Sequence, residues 1–253
     1  MSKPTHSGDR QGPAPNAAEV QRSPSLDPGD GPRPDAYELK FAADERQRRR
    51  VEEMAAELLL PDPHGKDGAY RLSTLYLDTE DLAVYHRDPL LDGTKYRIRR
   101  YDGEPRCWLE RKQRRGDRVS KQRSLLDGID LRLLNEEPRD SETDEAWFVG
   151  KVRSLRLRPI CQIDYERRAY YHAVAGAPGR LTLDRCIAGR PAGAFAFDPE
   201  VPTTAVLEGI TIVEVKFRGE LPLALKRIVN ESALAPTGIS KYRRVVRSLS
   251  LEI

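Results

Sequence analysis

From Tyr37 onward, apolar and polar residues alternate in short runs separated by turn residues, a period of two that predicts β-strands. Tyr37-Glu38-Leu39-Lys40-Phe41 is the first such run. Asp44 then opens a helix, with Val51, Met54, Ala55, Leu58 and Leu59 on one face and Pro61 as its stop. Further strands are predicted at 70–77, 94–101, 106–112 and 118–125, with a short helix at 79–86. Residues 127–156 read as a helical or irregular segment, in which Ser141-Glu142-Thr143-Asp144 has the form of a capping box. Strands follow at 160–172, 179–187, 193–197 and 210–217. Two helices close the pattern: 222–232, with Pro222 in its first turn, and 240–251, with Val245, Val246 and Leu249 in helical register. Eight or nine strands joined mostly by short turns predict an α+β fold, an antiparallel sheet closed or nearly closed into a barrel with helices packed outside.

Residues 1–35 break from this pattern. They hold seven prolines and four glycines, with Val20 and Leu26 as the large aliphatic residues, and so predict a disordered tail before a domain at 36–253. The start, Met1-Ser2-Lys3-Pro4-Thr5-His6, lacks the apolar stretch of a signal peptide, and no run is long enough to span a bilayer. Three cysteines, Cys107, Cys161 and Cys186, form no CxxC pair, which argues against a disulfide framework or a zinc site. A soluble, cytoplasmic protein is expected.

Charge changes the picture of the strands. In Lys95-Tyr96-Arg97-Ile98-Arg99-Arg100-Tyr101, Arg97 and Arg99 share one face while Tyr96 and Ile98 share the other. Glu38 with Lys40, Glu110 with Lys112, Lys121 with Arg123, and Glu214 with Lys216 repeat this, as do Arg180, Thr182 and Asp184. Several strands therefore carry one apolar face and one dense in charge. An ordinary sheet with a solvated face accommodates that pattern. So does an inverted barrel, whose apolar outer wall is covered by helices and whose charged faces line a water-filled lumen. A lumen of many cations and few glutamates suits a polyanion with divalent metal, since guanidinium and ammonium groups match phosphate oxygens. Of 43 basic residues only ten are lysines, and five of these (Lys40, Lys112, Lys121, Lys216 and Lys241) fall in the charged segments.

The segments Glu38-Leu39-Lys40-Phe41, Ser73-Thr74-Leu75-Tyr76-Leu77-Asp78-Thr79, Lys95 to Tyr101, Leu109-Glu110-Arg111-Lys112 and Val119-Ser120-Lys121-Gln122-Arg123 come in a telling order. Tyr165 to Tyr170, Arg180 to Asp184, Val213 to Phe217 and Ser240-Lys241-Tyr242 continue it. Across more than 200 residues this series resembles the VTC domain, the polyphosphate polymerase branch of the triphosphate tunnel metalloenzymes. The resemblance implies an eight-stranded antiparallel tunnel that transfers the terminal phosphoryl group of ATP to a growing polyphosphate. It implies phosphate contacts from Lys40, Arg97, Arg99, Lys112, Lys121, Arg167, Arg180, Ser240 and Lys241. Glu214 would coordinate Mn²⁺ or Mg²⁺, with Glu38 and Glu110 as further metal candidates, and catalysis would rest on Arg97, Arg99, Lys112, Arg167, Arg180 and Glu214. The adenylate cyclase and thiamine-triphosphatase branches begin with ExExK, whereas Ala36 stands at the first glutamate here, which favours the VTC branch. Larger eukaryotic members carry membrane helices, so coupling to transport would call for a separate membrane-protein partner recruiting this chain to the inner membrane face. A hydrolase using water in the same tunnel, or a polyphosphate-binding module without turnover, also fits these residues.

Other chemistries find no support. The chain has no phosphate-loop GxxxxGK[ST], no nucleophile elbow and no HExxH, and its four histidines lack ligand spacing. The run Arg48-Arg49-Arg50 reads as a solvated helix face, so no nucleic-acid partner is expected.

Overall fold

The computed structural model describes residues 36–126, 131, 134, 145–173 and 178–251. The tail 1–35 and the capping-box segment 141–144 lie outside the described residues.

In chain order the elements are β1 (Ala36–Ala43), α1 (Glu45–Leu58), β2 (Leu60–Pro61), β3 (Ala69–Asp78), α2 (Ala83–His86), β4 (Thr94–Tyr101), β5 (Cys107–Arg115) and β6 (Arg118–Leu126). Then come α3 (Ala146–Ser154), β7 (Arg158–His172), β8 (Gly179–Pro191), β9 (Thr204–Ala205), β10 (Thr211–Phe217), α4 (Leu223–Glu231) and α5 (Lys241–Ser248). Eight strands pair in the order β7-β3-β4-β5-β6-β1-β10-β8, and β8 pairs again with β7, which closes an antiparallel barrel. The two-residue strands β2 and β9 attach outside that ring, on β7 and β8.

The apolar faces point outward, under the helices. On one side, Phe41, Leu181, Leu183, Val213 and Val215 pack beneath α1 and α4, which contribute Val51, Met54, Leu225 and Ile228. On the other, Leu75, Tyr96, Ile98, Leu109 and Ile163 join Phe148 from α3 and Tyr242 and Val245 from α5. Burying such large side chains contributes roughly 1.5–3 kcal/mol each.

Local signals fix the helix starts. Asp44 accepts from the Gln47 backbone N–H at 2.8 Å and Gln47 Oε1 accepts from the Asp44 N–H at 3.1 Å, a reciprocal box at the head of α1. Ser240 caps α5, and Gly189 of β8 lets that helix lie close: a Cβ there would sit 2.3 Å from Val245 Cγ1.

Three expectations change. Residues 193–197 are not a strand, because β8 runs on to Pro191, which has no N–H to continue a ladder, and Phe195 instead buries its ring from a loop. The helix expected at 79–86 is confined to Ala83–His86, since Leu82 takes a left-handed conformation at its head (φ 56°). Within 127–156 the described helix is Ala146–Ser154.

Candidate active site in the barrel lumen

The inward-facing residues follow from register. Directly opposed residues of an antiparallel pair point to the same face. Lys40 stands opposite Glu214, Glu38 opposite Lys216, and Lys95 opposite Lys112, so β1, β10, β4 and β5 all present charge inward. A cavity of about 470 Å³ opens among them at one end of the barrel. Eleven cations and three carboxylates line it.

Two carboxylates organise its wall. Glu38, 1% exposed, receives Lys112 Nζ at 2.7 Å from both oxygens, with Lys40 at 3.4 Å and Lys216 at 3.6 Å. Glu214 is shared by Lys40 and Lys241, at 3.4 and 3.5 Å. Burial works against charge on Glu38, but Lys112, with Lys216 and Lys40, more than offsets it and holds the carboxyl well below its usual range. Glu214 behaves alike: burial opposes its charge, and Lys40, Lys241, Lys112 and Lys216 prevail. Lys241 opens α5 and contacts Asp184 Oδ2 at 2.5 Å, while Arg167 grips the same carboxylate through two bonds of 2.6 and 2.7 Å. Burial disfavours the Lys241 charge, yet Asp184 and Glu214 raise its pKa.

Sequence reasoning named nine of the lining residues as site candidates. Glu38, Lys40, Arg97, Arg99, Lys112 and Arg167 line the cavity, together with Glu214, Ser240 and Lys241. Glu110 and Lys121 sit behind it. Glu110 is fully buried and meets Arg97 Nε at 2.6 Å, Lys121 Nζ at 2.6 Å and Arg99 Nη1 at 3.7 Å. Arg180 is not among the cavity's lining residues. It contacts the Tyr70 hydroxyl at 2.9 Å, toward the end of the barrel where β3 begins, and its register partner Lys216 does line the cavity. The Tyr101 ring lies tilted against Tyr70 there, with centroids 5.7 Å apart.

Several participants were not named as site candidates, among them Lys216, which meets Glu38 at 3.6 Å, and three others. Lys95 lines the cavity and donates to Ser240 Oγ at 2.8 Å; its parity with Arg97 and Arg99 was the available signal. Burial, reinforced by neighbouring Lys40 and Arg97, pushes its ammonium down to about 7. Asp184, on the face predicted for Arg180 and Thr182, anchors Arg167 and Lys241. Tyr165 places its ring 5.0 Å from Lys241 Nζ and its hydroxyl accepts from Arg99 at 3.1 Å.

The donor set limits what metal the site could take. Among the described residues no group of three or more His, Cys, Asp or Glu side chains is arranged for a metal. Glu214 and Glu38 both face the cavity and are bridged by Lys40, so they form a pair of hard oxygen donors. One or two carboxylates completed by substrate phosphates is the manner in which Mg²⁺ is commonly held, and this pair fits it. Glu110 does not fit: its oxygens are engaged by Arg97 and Lys121 behind the wall.

An eight-stranded barrel that turns its charge inward and its apolar face outward is a tunnel barrel. The chain belongs to the VTC domain family, whose model matches residues 35–250. No curated protein matches it by sequence. Solved structures similar to it include an adenylyl cyclase candidate from Hippeastrum, described as having a dominant triphosphatase activity (14% identity, 85% of this chain and 97% of that one, TM-score 0.49). A candidate adenylate cyclase from Bacillus halodurans is similar too, at 13% identity over 81% of this chain and 95% of that one, with a TM-score of 0.48. So is a Pyrococcus horikoshii protein, at 13% identity over 84% and 98%, with a TM-score of 0.45.

Proposed function

We propose that the protein is a polyphosphate polymerase that transfers the γ-phosphoryl group of ATP to the end of a growing polyphosphate chain. The observation that carries this reading is the wall of eleven lysine and arginine side chains against three carboxylates. Such a wall neutralises several consecutive phosphates at once, more than a single phosphate would need.

Phosphoryl transfer demands alignment and charge stabilisation more than covalent help from the protein. An ionised terminal oxygen of the acceptor chain attacks the γ-phosphorus; the bond from that phosphorus to the β–γ bridging oxygen breaks, and ADP leaves with the electron pair. Arg97, Arg99 and Arg167 neutralise the non-bridging oxygens, and Lys40 and Lys112 hold the neighbouring phosphates. Ser240 and Lys241, at the N-terminus of α5, hold the acceptor. Glu214 with Glu38 would hold a divalent cation, Mn²⁺ or Mg²⁺, which when bound adds positive charge at the phosphate oxygens. A phosphate nucleophile needs no general base, and Glu38 and Glu214, held ionised by lysines, are poor proton acceptors.

The position of Lys95 in the cavity wall, 2.8 Å from Ser240 Oγ, favours a second reading, hydrolysis. Lys95, with its ammonium pushed down to about 7, could take a proton from water at the cavity. Products separate the two. Purified protein is given ATP and divalent metal, and products are run on a gel with and without a short polyphosphate primer. Polymerisation gives long chains and a lag that the primer shortens; a linear rise of orthophosphate with no chains overturns it. On this reading the protein works in the cytoplasm, where its donor ATP is available. No helix among the described residues is long and apolar enough to cross a membrane.

A further inference from the structure

The connection between α1 and β3 carries a carboxylate that the proposed reaction does not use. Residues 60–68 form a strap at the end of the barrel marked by Tyr70, fixed through the backbone. Leu60 and Pro61 pair with Tyr171 and Tyr170, the Asp62 N–H donates to Ala169 O at 2.9 Å, and the Ala169 N–H donates to Gly68 O at 2.9 Å. Gly68 is required in this strap: its φ is +73°, and a Cβ would lie 2.6 Å from Ala169 O.

The strap delivers Asp62, 7% exposed, to the inner end of the lumen. Asp62 Oδ2 lies 2.6 Å from Arg180 Nη2, which also donates to the Tyr70 hydroxyl at 2.9 Å. Asp62 Oδ1 accepts from the His64 backbone N–H at 3.0 Å and contacts His64 Nδ1 at 2.8 Å. Arg180 itself belongs to the lumen, because it stands opposite Lys216 on β10 and shares a face with Thr182 and Asp184. It therefore extends the row of inward groups beyond Arg167, which lines both the main cavity and a second one of about 290 Å³ that Tyr70 also lines. A carboxylate from outside the barrel strands thus makes with Arg180 the charge-assisted contact that a phosphate oxygen would make.

We infer that Asp62 is a resident competitor for the inner end of the lumen and sets how many phosphates of a linear chain the barrel engages. It is a specificity-determining residue for chain length, and the inference rests on the polyphosphate reading above. With Asp62 in place, phosphates beyond those held at the main cavity must displace a carboxylate already paired with Arg180. Without its charge, they gain Arg180 and Tyr70 as partners.

Binding without turnover tests this apart from the polymerase reading, since no nucleotide is added and no product is measured. Affinities for tripolyphosphate and for a long-chain polyphosphate are determined by calorimetry on the full chain and on Asp62→Asn. The long-chain preference of Asp62→Asn should exceed that of the unaltered protein by about tenfold, the gain of one charge-assisted contact. An equal preference in the two proteins overturns the inference, as does failure of both to bind polyphosphate. If Asp62→Asn does not fold, His64→Ala removes the imidazole contact to Asp62 and leaves the Asp62 carboxylate in place. It should raise the preference in the same direction, by about threefold, and no change overturns the inference. A merely structural Asp62 would alter melting but leave the preference between the two anions where it was.

Discussion

Lys40 and Glu214 face each other across the β1–β10 ladder with Nζ and Oε1 3.4 Å apart, and each is tied to a further group of opposite charge. Lys40 also meets Glu38, and Glu214 also meets Lys241. Glu214→Gln would therefore leave both lysines a remaining carboxylate, Glu38 or Asp184, while removing the anionic donor. Turnover of ATP with metal should fall on the order of 10²-fold with little change in melting temperature. Activity within twofold of the unaltered protein would show that Glu214 neither holds metal nor orders the lysines.

Arg97 and Arg99 point into the lumen, whereas Arg100 lies over the Phe197 ring, 4.5 Å from its centroid, on the outer face. Arg97→Ala and Arg99→Ala should each weaken tripolyphosphate binding by about tenfold or more, while Arg100→Ala leaves it nearly unchanged. Calorimetric titration reads the difference, and equal losses at all three positions would contradict the register.

Glu110 anchors Arg97 and Lys121 behind the cavity wall. Its removal as Glu110→Gln leaves Arg97 and Lys121 without their buried counter-charge, which should lower unfolding free energy by about 3–5 kcal/mol. Denaturant unfolding measures that loss. The accompanying drop in activity should not recover with added metal; recovery would restore Glu110 as a metal ligand.

Lys95 should make anion binding pH-dependent. Burial lowers its pKa to about 7 from the ordinary 10.5, so the folded protein holds it largely neutral above 7. Between those values the unfolded chain carries a proton that the folded chain lacks, and this group's contribution to stability rises with pH across that window. An entering triphosphate favours the ammonium again. Binding at pH 8 should thus take up a proton, seen as a buffer-dependent heat, and Lys95→Met should reduce that uptake. Identical uptake in both proteins would show that Lys95 does not titrate with the ligand.

The strands were legible because their two faces differ so sharply: Tyr96 and Ile98 against Arg97 and Arg99 is a period that admits one register. Like patterns on β1 and β10 gave the inward faces of Lys40 and Glu214, but their pairing depends on which strands become neighbours, a long-range property of barrel closure. Arg180 shows the limit. Its parity with Thr182 and Asp184 correctly gave an inward face, but its depth along the lumen depends on the stagger of the strands, and its partner Asp62 sits on a strap with no strand period. Glu110 shows the same limit, since parity gives the face but not the three cations gathered around its carboxylate.

Deleting residues 1–35 should leave turnover and melting unchanged, because the first barrel strand begins at Ala36. Enzyme assay and thermal unfolding of the truncated chain check this, and loss of either would move the domain boundary.

In the proposed reaction phosphate, not water, attacks the γ-phosphorus. A ³¹P spectrum of the full chain incubated with ATP, Mg²⁺ and a short polyphosphate primer reads it directly, because phosphates inside a chain resonate apart from terminal ones and from orthophosphate. Growth of the internal-phosphate signal in step with ADP is the predicted result. ADP formed with an equal amount of orthophosphate, and no gain in internal phosphates, would contradict it.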